Sequence, residues 1–216
     1  MFRKMILALF IVMVISFLIY PQKTSIVSVF RMTHEPLVIS KGNYGQSLIV
    51  EISFTHEGLP EWLESLHAPY PILMLDAKWI ERSPKLVELI QKKNISTGLL
   101  GGYGKEEYSI KTFNKEVEIY KKYFNQKPLW FMTKDYEFPG ELKQAAFHEE
   151  INLLSPSHIY KEGNHYHDVK GAIISLQLDE QSNPNFKNIS KFIQQHKFIS
   201  LEENIFGYSI KSTKMP

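Results

Sequence analysis

The sequence predicts an α/β domain on a mostly parallel sheet, preceded by an apolar amino-terminal helix. Three observations carry this. Short apolar, β-rich runs recur from residue 46 onward; helical patterns lie between most of them; and 216 residues, 44% of them hydrophobic, suffice for one domain, conceivably two small ones. Strands separated by helices return in the same direction, which a parallel sheet requires. Periodicity alone leaves an open sheet and a barrel both available.

At the amino end, Arg3 and Lys4 precede an apolar run over residues 5–20, interrupted by Ser16 and closed by Pro21, Gln22 and Lys23. As a helix it reaches roughly 24 Å, against a hydrocarbon core of about 30 Å. That is short for a spanning helix and slightly long for the apolar part of a signal peptide. Leu18, Ile19 and Tyr20 offer no small residue for cleavage, so residues 1–23 are expected to be an uncleaved signal anchor rather than a cleaved signal. Arg3 and Lys4 then stay cytoplasmic, and the rest of the chain lies outside a cell membrane crossed once. A buried core helix would show a polar face, which this run lacks. Residues 24–45, with short apolar stretches at 26–30 and 37–39 and turn residues at 41–45, read as a stalk or a strand pair.

The domain proper is expected over residues 46–216. Strands are expected at 48–54, 71–75, 95–100, 128–132, 151–154, 172–178 and 198–201. Ser83 and Pro84 supply an N-cap and a first helical proline, after which Leu86, Leu89 and Ile90 keep helical spacing until Asn94. Phe113, Val117, Tyr120 and Phe124 form one apolar stripe with Lys115, Glu118, Lys121 and Lys122 opposite. Leu142, Ala145 and Ala146 make a smaller stripe, and Phe186, Ile189, Phe192 and Ile193 another.

Composition narrows the chemistry. A net charge of +2 without a basic cluster makes nucleic acid an unexpected partner. With no cysteine, disulfides, Cys-ligated zinc and thiol catalysis are excluded. Any reaction would use His, carboxylates, hydroxyls, Lys or Arg.

Residues 71–98, PILMLDAKWIERSPKLVELIQKKNISTG, resemble the second strand, helix and third strand of the polysaccharide deacetylase family. In register with it, PLWFMTKDYEFPGELKQAA at 128–146 is similar to the family's oxyanion turn and following helix. GAIISLQLDE from residue 171, a helix, and KFISLEENI up to 205 resemble its closing segments. The resemblance covers roughly residues 46–206 and implies a deformed (β/α) barrel of about seven mostly parallel strands, with the active face at the strands' carboxyl ends.

The same resemblance implies where the family's chemistry would sit. Its paired aspartates, general base and metal ligand, fall on His56 and Glu57, with Gly58 kept. Its two metal-binding histidines fall on Leu100 and Gly104, neither of which can ligate a metal. The turn that carries an Arg falls on Met132, Thr133, Lys134 and Asp135, next to Tyr136, and the general-acid His falls on Gln177, whose amide cannot deliver a proton. One carboxylate at Glu57 does not hold a catalytic ion. No catalytic residue, metal ligand or cofactor is therefore expected, and His56, Glu57, Asp135, Tyr136 and Gln177 remain as groove candidates. The reading is a deacetylase-like envelope protein, catalytically silent, that binds cell-wall glycan or an envelope protein. The alternative is an active carbohydrate hydrolase or deacetylase remodelled around His56, Glu57 and Asp135, or Asp76.

Other groups are weighed against plainer roles. His165, His167 and Asp168, with His158 upstream, form the densest set of potential metal ligands, though their polar surroundings suit an exposed loop. His34–Glu35 and His148–Glu149 are isolated pairs. Trp62, Trp79 and Trp130 are expected mostly in the core, whereas Tyr103, Tyr108 and Tyr136 are expected exposed at the active face as sugar platforms. Gly101, Gly102 and Gly104 lack the Lys-Ser/Thr of a phosphate loop.

Overall fold

The computed structural model describes residues 35–102, 108–164 and 166–207. The chain divides into two units, Met1–Arg31 and Met32–Pro216, and the described residues all belong to the second. The apolar run at 5–20 lies outside them; among the described residues no helix is long and apolar enough to cross a membrane.

Eight strands are described: β1 (Val38–Ile39), β2 (Ser47–Ile52), β3 (Ile72–Asp76), β4 (Thr97–Gly101), β5 (Trp130–Thr133), β6 (Asn152–Leu154), β7 (His158–Ile159) and β8 (Ile173–Leu178). The helices are α1 (Leu59–Ser65), α2 (Ala77–Arg82), α3 (Pro84–Lys92), α4 (Ile110–Phe124), α5 (Gly140–His148), α6 (Phe186–Gln195) and α7 (Leu201–Phe206). All strand pairs are parallel, in the order β1-β6-β5-β4-β3-β2-β8-β7, and the sheet curls as a half-barrel. The first and last long strands are neighbours, as a deacetylase-like barrel requires: β2 pairs with β8 from Ser47↔Ile173 to Ile52↔Leu178.

Alternation along the strands sends successive side chains to opposite faces. Val50, Ile52, Leu73, Leu75, Leu99, Phe131 and Leu176 pack against α1 to α6 on the outer face. Ile49, Ile72, Met74, Leu100, Trp130, Met132 and Ile173 fill the inner face with Leu201 and Ile205 of α7. Both faces are buried, so the strands read as nearly continuous apolar runs.

Several elements differ from the sequence expectation; among them, helix α1 and the two-residue strand β7 were not expected. Residues 198–201 do not form a strand: Ser200 Oγ accepts the Glu203 N–H, and α7 begins at Leu201. The Ser-x-x-Glu pattern at 200–203 won over the apolar run before it. The helix α2 was not expected, and it follows β3 directly because the Asp76 side chain caps it, accepting from the Trp79 N–H at 3.0 Å. Within residues 24–45, the described strand β1 joins the same sheet beside β6.

Helix α7 closes the amino-terminal end of the inner face through one residue. Asn204 is fully buried; its Nδ2 donates to Ser47 Oγ (3.1 Å) and the Ala172 carbonyl (3.0 Å), and its Oδ1 accepts from the Gly45 N–H (3.1 Å). With that end plugged, the opposite, carboxyl end is where inner-face side chains meet solvent.

Candidate functional site

Glu51, Ser175 and Gln177 share the inner face near its carboxyl end, because Glu51 pairs with Gln177 in register and Ser175 lies two residues before it. Tyr136, in the turn after β5, leans over them. Its hydroxyl donates to Glu51 Oε1 at 2.6 Å and accepts from Gln177 Nε2 at 2.8 Å, while Ser175 Oγ also donates to Glu51 Oε1. Glu51 is 3% exposed, and burial pushes its carboxyl above the usual carboxylate range, against the opposing hydrogen bonds and the Lys134 charge. Two hydroxyls point protons at the same oxygen, so a proton held by Glu51 sits on Oε2.

A second group adjoins the first. Lys134 follows β5 and its Nζ lies 3.4 Å from Asp76 Oδ2, with the lysine side chain 26% and the aspartate 2% exposed. Glu116 of α4 accepts a hydrogen bond from the Tyr108 hydroxyl, and burial pushes its carboxyl up to about 7. The Asp76 charge raises it further, whereas Lys134 and Lys78 draw it down. The Tyr108 phenol is raised by burial and by Glu116. Lys134 therefore acts on three carboxyl groups, Asp76, Glu51 and Glu116.

The groove candidates separate into those the fold joins and those it does not. Tyr136 and Gln177 meet. His56 donates from Nε2 to the Asp179 carbonyl at 2.8 Å and lies 3.0 Å from Ser182 Oγ, so its ring anchors the turn after β8. A carbonyl can only accept, which fixes that tautomer. Glu57 is exposed ahead of α1, and Asp135 is exposed, with its carboxylate accepting the Glu137 N–H of its own turn. Leu100 is 1% exposed within the inner apolar cluster, beside Met132, and Gly104 lies outside the described residues.

Leu100 in the core and an ammonium at Lys134 do not suit the family's metal ion. Among the described residues no three His, Asp or Glu side chains come together to hold one. His165 lies outside the described residues, and His158 and His167 are exposed. Asp168 instead accepts from Gln46 Nε2 at 2.7 Å and pairs with His196 Nδ1 at 2.6 Å, and those contacts hold its carboxyl below the usual range. His34 is likewise outside, and His148 is exposed at the end of α5.

The aromatic expectation is corrected in part. Trp62, Trp79 and Trp130 are buried. Tyr103 lies outside the described residues. Tyr108 and Tyr136 border the carboxyl ends of the strands but are half-buried, not open platforms, because each hydroxyl is committed to a buried carboxyl group. Glu51 and Glu116 had no place in the motif comparison, and Ser175 entered it only as part of the closing strand, with no role assigned. The signal for Glu51 was a single charge inside an apolar strand, which must find partners when both faces are covered.

No family model matches the chain, and no curated protein matches it by sequence. Solved structures do. A CE4 family pseudoenzyme from Bacillus anthracis superposes with TM-score 0.63 at 17% identity, over 78% of this chain and 69% of that one. A mutant of that pseudoenzyme, described as having restored enzymatic activity, gives 0.64 at 17% identity over 78% and 71%. The chitin deacetylase from the fungal pathogen Colletotrichum lindemuthianum gives 0.62 at 11% identity over 81% and 93%. The fold is that of the family 4 carbohydrate esterases, the polysaccharide deacetylases whose segments the sequence resembles.

Proposed function

We propose that the chain is a divergent, catalytically silent relative of the polysaccharide deacetylases that binds a cell-wall glycan at the carboxyl ends of its strands. One observation carries the reading. Where deacetylation needs an ion and a proton donor, the inner face offers buried Leu100, the Lys134–Asp76 pair and the Glu51–Tyr136–Gln177 chain. Water is a poor nucleophile without a Lewis acid or a placed base, and the Gln177 amide cannot protonate a leaving amine. The pseudoenzyme among the structural neighbours supports the view that this fold persists without activity.

What remains at the site suits binding. The Lys134 ammonium, Tyr136 and Gln177 are partly exposed over a fixed polar floor, and such groups orient hydroxyls and amides of a neutral glycan. In this reading residues 1–23 hold the domain at the outer side of the cell membrane, where such glycans are found. An envelope protein is the other class of partner for the same face.

The test is titration of the full chain with N-acetylated glycan oligomers, by calorimetry, for wild type and Tyr136→Ala. Binding lost in Tyr136→Ala supports the proposal; no binding by either removes the glycan reading in favour of a protein partner. Orientation is tested separately: protease added to intact protoplasts should remove the carboxyl-terminal domain, and full protection of that end would show it to be inside.

A further inference from the structure

We infer that Lys134 is a built-in cation of this site, a fixed positive charge around which the buried acidic groups at the strand ends are organised, in a chain whose residues do not fit the family's metal ion. The donor set argues against an ion. Of the positions that would ligate it, Leu100 is apolar and buried in the inner cluster, and Glu57 is exposed ahead of α1.

The charge is supplied from within the chain. Nζ of Lys134 is 3.4 Å from Asp76 Oδ2, and Asp76 is 1% exposed, so this carboxylate has exchanged water for the ammonium and for the Trp79 N–H that it caps. A buried charge kept without such partners is strongly destabilising. The groups that Lys134 acts on come from three elements, Glu51 from β2, Asp76 from β3 and Glu116 from α4, and the Tyr136 and Tyr108 hydroxyls donate to the two glutamic acids. Lys78 also acts on Glu116. Lys134 pairs with Asp76 and also lowers both buried glutamic acids.

The direction with pH follows from the chemistry of Glu116. At pH 5.5 Glu116 is mostly protonated and asks little of a cation; at pH 8 it is ionised and needs one. Removal of the ammonium should therefore hurt more at the higher pH.

The experiment compares unfolding midpoints of the full chain as wild type, Lys134→Met and Lys134→Arg, at pH 5.5 and 8, and titrates the wild type with zinc chloride alone. The inference expects a larger midpoint loss for Lys134→Met at pH 8 than at pH 5.5, most of it recovered in Lys134→Arg, and no zinc-induced rise in the wild-type midpoint. An equal loss at both pH values overturns it, as does a wild-type zinc response abolished by Asp76→Asn. If Lys134→Met does not fold at either pH, Lys134→Arg decides: folding at pH 8 supports a role of charge, and failure to fold shows that side-chain shape is what matters.

Discussion

Tyr136 donates its hydroxyl to Glu51 across 2.6 Å, tying the turn after β5 to β2 at the open end of the half-barrel. Tyr136 has φ 61°, a left-handed conformation costly for a bulky residue. Its N–H bonds to the Thr133 carbonyl and its ring packs on the inner cluster, so local turn, packing and the distant carboxyl group together hold it there.

Tyr136→Phe removes one donor from a buried carboxyl group and leaves the ring in place. The expected cost is about 1–2 kcal/mol in urea unfolding. The Glu51 carboxyl should also rise further, since a hydrogen bond that favours its ionised form is gone. Carbon-13 NMR titration of labelled glutamate checks the second point; an unchanged Glu51 would mean that the bond is not made in solution.

Glu116→Gln reports on pH. In the folded chain this carboxyl titrates at about 7 against an ordinary 4.5, so over that interval the folded state binds more protons than the unfolded one. Its stabilisation is complete below 4.5 and is lost as pH rises through 7. Wild type should therefore lose about 2 kcal/mol between pH 5 and 8 from this group, while Glu116→Gln shows a flatter profile. Parallel profiles for the two proteins would contradict the assignment.

Asn204→Leu tests the plug at the other end of the inner face. It leaves the Gly45 N–H and Ala172 carbonyl without their side-chain partner. A loss of about 2–4 kcal/mol is expected in thermal or denaturant unfolding. A loss under about 0.5 kcal/mol, the range of surface substitutions, would show that α7 does not depend on it.

Much of the sheet was legible in the sequence because buried parallel strands are apolar along their whole length, as in 48–54 and 172–178. The helices over 84–92 and 110–124 were legible from a first-turn proline and an apolar stripe, although the Ser83 side chain, expected as the cap, makes no capping bond and lies against Thr55 instead. Short helices were not legible. In α2 and α7 the deciding information is one capping bond each, at Asp76 and Ser200, competing with apolar neighbours that also suit a strand.

The site divides in the same way. Motif positions pointed to Tyr136 and Gln177, which do meet, but could not reveal that His56 turns to Asp179 or that Asp135 serves its own turn. Those outcomes depend on local geometry after the strands. The Lys134–Asp76 pair joins β3 to the turn after β5 across β4, a relation that only the strand order creates.

Glycan binding by this site should not depend on a metal. Affinity for N-acetylated oligomers is expected to be equal, within the error of calorimetry, before and after dialysis against a chelator; a loss that zinc restores would place an ion in the site.

The chain keeps the deacetylase fold, and its proposed silence in hydrolysis is open to a direct measurement. The most direct test is acetate release from N-acetylated glycan oligomers by the purified full chain, with zinc added and with chelator added. No release above the buffer rate is expected in either condition. Zinc-dependent release that Glu57→Ala abolishes would contradict it and return catalysis to this chain.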